Sequence, residues 1–505
     1  MFAFLRRPRV LVALGLVAVL SAGAGVAAYL VAAKEPGDVS NPEVEFDAPP
    51  PTTTAPPATT PTTPTRPQRP RTVDWPRYGY TQGRTRTFQP ARPLDGPWRR
   101  AWVRQASALT EFPPVIWDGT LYLLVDDGTL MAFRATNGKV RWKRRVGALA
   151  ASSPAVDEYR LFVVLLEGSK GSGRGKIISL SRRTGRILWA KALPSRGESS
   201  PLLRDGKVFF GTENGTLYCL DARSGRQLWT YRASGAIKGS PSYDAGKLYV
   251  GSYGGDVQAI RASDGKLLWK SGAARGLVRS GNFYATAAVA YGRVYIGSTD
   301  GREYSFSSSS GKLAWARQTG GYVYSSAAVD NVPKVGPTVF VGSYDGRFYA
   351  FDARSGKTRW SYDAKGRISG SPTVIGKTVY FANLAKRETV GLSTDRGHVV
   401  FRRATGSFDP IVSDGVKLYL TGSSSVTALR EIEPRTPAAA ARGAARAAAQ
   451  RAAARWQVRG ARAAGRVARE GSCCPCARRT SRGEAPGEEA LGSPACPGKA
   501  PPNAH

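Results

Sequence analysis

The chain has 505 residues, 42% of them hydrophobic, which is enough to bury a large core or more than one. Its formal net charge of +36 favours anionic surroundings such as lipid headgroups, acidic polymers or nucleic acid, and carries no information about fold. The two histidines, His398 and His505, argue against a His-rich zinc or haem site and leave a Ser-His-Asp triad short of candidate bases.

Arg6, Arg7 and Arg9 precede an uncharged, mostly apolar run from Val10 to Ala33, 24 residues long, which suffices to cross a bilayer. Past Lys34 the flank turns acidic, with Glu35, Asp38, Glu43, Glu45 and Asp47. This asymmetry places residues 1–9 in the cytoplasm, makes 10–33 a signal-anchor, and puts the rest outside the plasma membrane as a single-pass protein. A cleaved signal peptide, cut near Ala22-Gly23-Ala24 to give a secreted chain, stays open as the alternative; continuation of the apolar run past that point favours the anchor. No cysteine stands directly after the run, so a lipoprotein anchor is not expected. Between Ala48 and Arg71, 17 of 24 residues are Pro or Thr. Residues 34–71 are therefore expected to be an extracytoplasmic linker, with the Pro/Thr part a stalk holding the next domain tens of Å off the membrane, at ~3 Å per residue.

From residue 72 to 434 the chain repeats itself. Aligned on aromatics, one phrase recurs at Trp142, Trp189, Trp229, Trp269, Trp315, Trp360 and, degenerately, Phe401, in steps of 47, 40, 40, 46, 45 and 41 residues. Four residues before each aromatic stands a glycine: Gly138, Gly185, Gly225, Gly265, Gly311, Gly356 and Gly397. Ten before it stands Ala132, Ser179, Cys219, Ala259, Ser305, Ala350 or Gly391. A period of this length means stacked supersecondary units. Within a unit, short apolar runs such as "KLYVGS", "DVQAI" and "KLLW" are separated by turn pairs, which predicts four antiparallel strands, or one propeller blade. A lone blade cannot bury both faces, so its tryptophan is expected to pack on the next blade. The glycine and the small residue are expected to leave room for that indole. Trp102 lies 40 residues before Trp142 with no unit in front of it, and the last unit, Phe408 to Glu431, lacks a tryptophan strand. The two halves complete an eighth blade and close the ring. The fold class is thus all-β, an eight-bladed β-propeller flanked by a transmembrane helix and a disordered tail.

The phrases "DARSGRQLW" (Asp221 to Trp229) and "DARSGKTRW" (Asp352 to Trp360) resemble the tryptophan-docking motif A-x-D-x-x-[ST]-G-x-x-x-W of the PQQ-type β-propeller repeat. That family holds quinoprotein alcohol dehydrogenases, the propeller lipoprotein of the outer-membrane assembly machinery, and anchored envelope proteins without assigned activity. The resemblance covers about 335 residues and implies the fold; function lives in sites grafted on it. A dehydrogenase of this family implies PQQ held by a tryptophan and a disulfide between adjacent cysteines, with Ca²⁺ beside a catalytic aspartate. Here the propeller has one cysteine, Cys219, in a packing slot, and the docking motif uses nearly every tryptophan, leaving Trp98 and Trp117. PQQ and Ca²⁺ are accordingly disfavoured. So is catalysis, and no catalytic, cofactor or metal residue is assigned. Hairpin turns explain Asp127-Gly128, Asp300-Gly301 and Asp345-Gly346, and His398 is a turn residue.

The expected function is non-catalytic: a binding or scaffold module of the cell envelope, anchored in the plasma membrane, monomeric, and without a nucleic-acid partner. Its binding loops are expected among "GSKGSGRGK" (168–176), "ARGLVRSGNF" (274–283) and "DNVPKVGPT" (330–338). The alternatives are a PQQ/Ca²⁺-dependent oxidoreductase and a receptor for an anionic wall polymer. For the last, a basic rim of Arg99, Arg100, Arg141, Lys143, Arg144 and Arg145 is the candidate surface, with an ordinary solvated surface as its rival. Residues 435–505 are Ala/Arg-rich and hold four of the five cysteines, Cys473, Cys474, Cys476 and Cys496. They build no apolar helix face and no metal-ligand spacing, so a disordered tail and out-of-frame translation both remain open.

Overall fold

The computed structural model describes residues 37–49, 72–167, 173–272, 281–406, 408 and 411–432. The apolar run 10–33, the Pro/Thr segment 50–71 and the tail 435–505 lie outside the described residues, as do most of the loops 168–176 and 274–283. No helix among the described residues is long and apolar enough to cross a membrane.

Eight sheets follow one another, antiparallel except where Thr87–Phe88 adds a short parallel strand to the inner edge of blade 7. Blades 1 to 7 span 115–145, 155–193, 202–232, 242–272, 288–318, 328–363 and 373–403, each with four strands in chain order from the axis outward. Blade 8 takes three strands from 411–431 and its outer strand from Trp98–Gln105, which pairs with Ser425–Glu431. The expected closure therefore forms, with Trp102 opposite Ala428. The second and third strands are apolar runs because both their faces are covered by neighbouring blades; all five residues of Thr120–Leu124 are buried. Seven buried clusters bridge adjacent blades, and the largest joins blades 7, 8 and 1 across the closure.

The docking motif works one blade out of step with its sequence spacing. Gly138 underlies Trp102, not Trp142: a Cβ on it would lie 2.8 Å from the Trp102 ring. The same offset holds through Gly185 on Trp142, Gly225 on Trp189, Gly265 on Trp229, Gly311 on Trp269, Gly356 on Trp315 and Gly397 on Trp360. These glycines also have φ of 69–77°, so the turn and the indole both demand the missing side chain. Each indole N–H donates to a carbonyl three residues before its glycine, from Trp102 to Ala135 at 3.1 Å through Trp315 to Ala353 at 3.0 Å and Trp360 to Thr394 at 3.2 Å. The small residue is the direct cross-strand partner of its own tryptophan, as Cys219 is of Trp229. Phe401 lacks the donor because blade 8 has no turn between its third and outer strands to offer a carbonyl or a glycine; it packs instead on Tyr380, ring centroids 5.4 Å apart.

The boundary expected at residue 72 differs from the structure in one respect. Residues 38–47 are seated on blade 5. Val39 and Ser40 add a fifth strand, pairing with Ala316 and Trp315. Val44 is buried, and Arg293 donates to the carbonyls of Val44 and Glu45. A two-residue strand in an acidic flank has no hydrophobic period, so the sequence pattern does not announce it.

Candidate functional site

Two kinds of loop ring the axis. The turns that carry the docking glycines lie at one end with the hairpins joining first to second strands, here called the turn end. The other end carries the connections between blades and the hairpins joining second to third strands, here called the funnel end.

A chain of hydrogen bonds binds the blades around the axis. The backbone N–H of Ser153 donates to the Ser200 hydroxyl at 2.9 Å, Ser200 to Ser240 at 3.0 Å, Ser240 to Thr286 at 2.9 Å, Thr286 to Ser326 at 2.9 Å, and Ser326 to Ser371 at 3.1 Å. Blade 1 has Pro113 at this register, and there the Ser153 hydroxyl donates to the Pro113 carbonyl at 2.8 Å. Each residue stands just before an inner strand, so the ring is a fixed collar at the base of a funnel.

Below the collar, residues 73–88 plug the turn end of the axis. Inner-strand groups that would otherwise face the bore unpaired bond to this segment. Ile116 N–H donates to Trp75, Val156 to Pro76, Tyr243 to Gln82, Val289 to Gly83, Val329 to Thr85 and Val374 to Arg86, at 2.8 to 2.9 Å. Gln82 donates its side-chain amide to Leu203, and Val73 N–H donates to Asp414, so the segment touches all eight blades. At its centre Arg84, 0% exposed, donates to the carbonyls of Tyr78, Ser200, Pro201 and Pro241. Burial, with Arg77 and Arg86 close by, drives its guanidinium well below the usual arginine range. Arg86 lies 4.0 Å over the Tyr78 ring. Its Nε and Nη2 have no hydrogen-bond partner among the described residues.

Above the collar the funnel opens to about 350 Å³. Its wall is aromatic: Tyr78, Phe112, Tyr253, Tyr284, Tyr324, Tyr344 and Phe408. Tyr253, Tyr284, Tyr324 and Tyr344 form a crescent across blades 4 to 6, with successive centroids 6.3, 5.3 and 4.9 Å apart, and Tyr322 extends it outward. The wall next to Tyr253 is charged, with the Lys238 ammonium 5.8 Å from the centre of that ring. Lys238 bridges Glu198 at 2.8 Å and Glu213 at 3.1 Å. Burial raises the Glu198 carboxyl against the opposing pull of Lys238. Half-buried tyrosines beside a compensated ion cluster form a surface suited to a partner, since they offer large area and a polar edge at low entropic cost.

The funnel residues share a register that the repeat reading passed over. Glu111, Ala151, Glu198, Lys238, Tyr284, Tyr324 and Ser369 each stand two residues before a collar position. The signal was there: a repeated Ser or Thr with a non-repeating residue two places ahead. Of the expected binding loops, 168–176 and 274–283 lie largely outside the described residues and the strands flanking them end at the funnel end, whereas 330–338 joins the first two strands of blade 6 at the turn end. The six rim cations fall on the outer strands of two neighbouring blades. Arg99 and Arg100 lie on the outer strand of blade 8, Arg141, Lys143, Arg144 and Arg145 on that of blade 1, and all six are exposed. Cys219 is buried under Trp229, where burial pushes its thiol up to about 12, so it is inert.

Comparison with known proteins bears on this architecture. The profile of the family described as "Outer membrane protein assembly factor BamB" matches residues 96–171, 168–332 and 325–481. The chain is 28% identical over 106 residues to the outer membrane protein assembly factor BamB of Yersinia pestis, a stretch covering 21% of this chain and 25% of that protein. Among solved structures, BamB from Moraxella catarrhalis superposes with a TM-score of 0.55 at 19% identity, covering 67% of this chain and 99% of that one. Quinohemoprotein alcohol dehydrogenase from Comamonas testosteroni gives 0.60 at 15% identity, covering 72% and 82%. These two likenesses are of fold. The profile matches cover well over half of the sequence, and the chain belongs to the PQQ-repeat propeller family described as outer membrane protein assembly factor BamB.

Proposed function

We propose that this protein is a non-catalytic scaffold of the cell envelope, anchored through residues 10–33, that binds another envelope protein at the funnel end of its propeller. The observation that carries the reading is the tyrosine crescent: four half-buried tyrosines from three blades converge above a floor that the chain's own residues 73–88 fill. Aromatic residues of this kind dominate the energetic centre of protein interfaces. The family's description as an assembly factor supports the same role.

The quinone and Ca²⁺ that the PQQ-type repeat brings into consideration do not fit the residues present. Among the described residues no three His, Cys, Asp or Glu side chains are grouped to hold a metal. Of the funnel carboxylates Glu111 and Glu198, the second is already engaged by Lys238, and Cys219 has no neighbouring cysteine to form a disulfide.

The reading is tested by affinity capture from intact membranes with the full chain, beside a Tyr253→Ala/Tyr344→Ala double variant. Envelope proteins retained at high salt by the parent and lost by the variant support it. Equal recovery by both would sink it. A second reading has its own observation: six exposed cations on adjacent outer strands, none in an ion pair among the described residues, fit an anionic wall polymer. Binding there would collapse as salt rises.

A further inference from the structure

We infer that the propeller is held close to the bilayer with its funnel end toward the lipid, by an edge strand on blade 5. The inference rests on the anchor reading of residues 10–33. The outer strand of blade 5, Leu313–Gln318, runs toward the funnel and leads into Tyr322 and Tyr324. Val39–Ser40 pairs antiparallel with it, so the preceding Asp38 sits at the funnel end, where the Gln318 N–H donates to its carboxylate at 3.0 Å. The chain then descends to the turn end. Asn41 N–H donates to Ala314, Asp47 N–H to Tyr291, and the Ser307 and Ser309 hydroxyls to Glu45. Only residues 34–37 separate the apolar run from Asp38, and the five steps from Ala33 to Asp38 span at most ~18 Å. The funnel rim of blade 5 is therefore within that distance of the end of the run.

Two consequences follow. The Pro/Thr segment does not stand between the apolar run and the propeller, because both its flanks belong to the propeller: Asp47 on blade 5 and Val73 on blade 8. The lipid-facing rim carries Tyr322, 40% exposed, an amphipathic side chain suited to the water–lipid boundary. The exposed basic strands of blades 8 and 1 lie across the ring from blade 5.

The test uses the full chain in vesicles, with the tail cysteines Cys473, Cys474, Cys476 and Cys496 changed to Ser and a donor dye on Tyr322→Cys or Lys334→Cys. Lys334 lies at the turn end of blade 6. Energy transfer to an acceptor lipid should be several-fold more efficient from position 322. Doubling the Pro/Thr segment should leave it unchanged, whereas ten Gly/Ser residues inserted after Lys34 should lower it. Equal or stronger transfer from position 334, or loss of transfer on doubling the Pro/Thr segment, would overturn the orientation while the anchor stands. A chain washed off the vesicles by alkaline carbonate would overturn both.

Discussion

The two ends of the ring are built by opposite rules. At the turn end blades 1 to 7 repeat: a glycine of positive φ, a carbonyl three residues before it, and the preceding blade's indole on top. At the funnel end the same register carries five residue types in seven blades, from Glu111 and Ala151 through Lys238 to Tyr284 and Ser369. Repetition marks the positions that the ring needs in order to close. Divergence at a fixed register marks positions released from that demand and free to serve a partner.

The contrast can be broken by substitution. At the turn end, Gly356→Ala forces a Cβ to 2.7 Å from Trp315, the fully buried docking indole, at a φ of +72°. Backbone strain and overpacking together should cost about 2–5 kcal/mol in equilibrium unfolding; a loss under 1 kcal/mol would remove the twofold role given to the glycine. Glu303 sharpens the comparison from inside blade 5. It is 0% exposed, and neither carboxylate oxygen has a hydrogen-bond partner among the described residues. Its place is taken in other blades by Leu130, Ile177, Leu217, Val257 and Phe348. Glu303→Leu should therefore stabilise by about 1–3 kcal/mol. Burial raises the Glu303 carboxyl well above its ordinary value. Its contribution is fully present below the ordinary carboxyl range and is lost as pH rises through the folded value; urea midpoints measured across pH should show that slope in the parent and not in the Leu variant.

At the funnel end, Tyr253→Ala and Tyr344→Ala should each cost less than about 1 kcal/mol while partner recovery falls. A large stability loss there would make the crescent a structural element. The smallest effect is expected at the blade 5 strand. Hydrogen bonds from Ser307 and Ser309 lower the Glu45 carboxyl to about 2, so its contribution persists above the ordinary carboxyl range and is lost as pH falls through that value. Glu45→Gln should modestly speed proteolysis within residues 37–49 at neutral pH and leave the propeller's unfolding midpoint unchanged.

What was legible in the sequence follows the same division. Trp102, the seven glycines and the headless last unit announced eight blades and their closure, because each unit obeys one packing demand. The offset between glycine and tryptophan was not legible, since spacing along the chain does not say which of two neighbouring indoles a turn receives. Residues 73–88 and 38–47 were read past for a simpler reason. They occur once, follow neither strand nor helix period, and gain their structure from backbone groups that other blades leave open. The tyrosine crescent is scattered over Tyr253 to Tyr344 and becomes a surface only when the ring folds.

The central claim is that the funnel end is the binding end. The most direct measurement is in-cell photo-crosslinking of the full chain, with a benzophenone amino acid at Tyr322 at the funnel end or at Lys139, an exposed turn-end position of blade 1. Discrete adducts with one or a few envelope proteins are expected from position 322 and none from 139. Adducts from 139 alone, or from neither position, would contradict the claim.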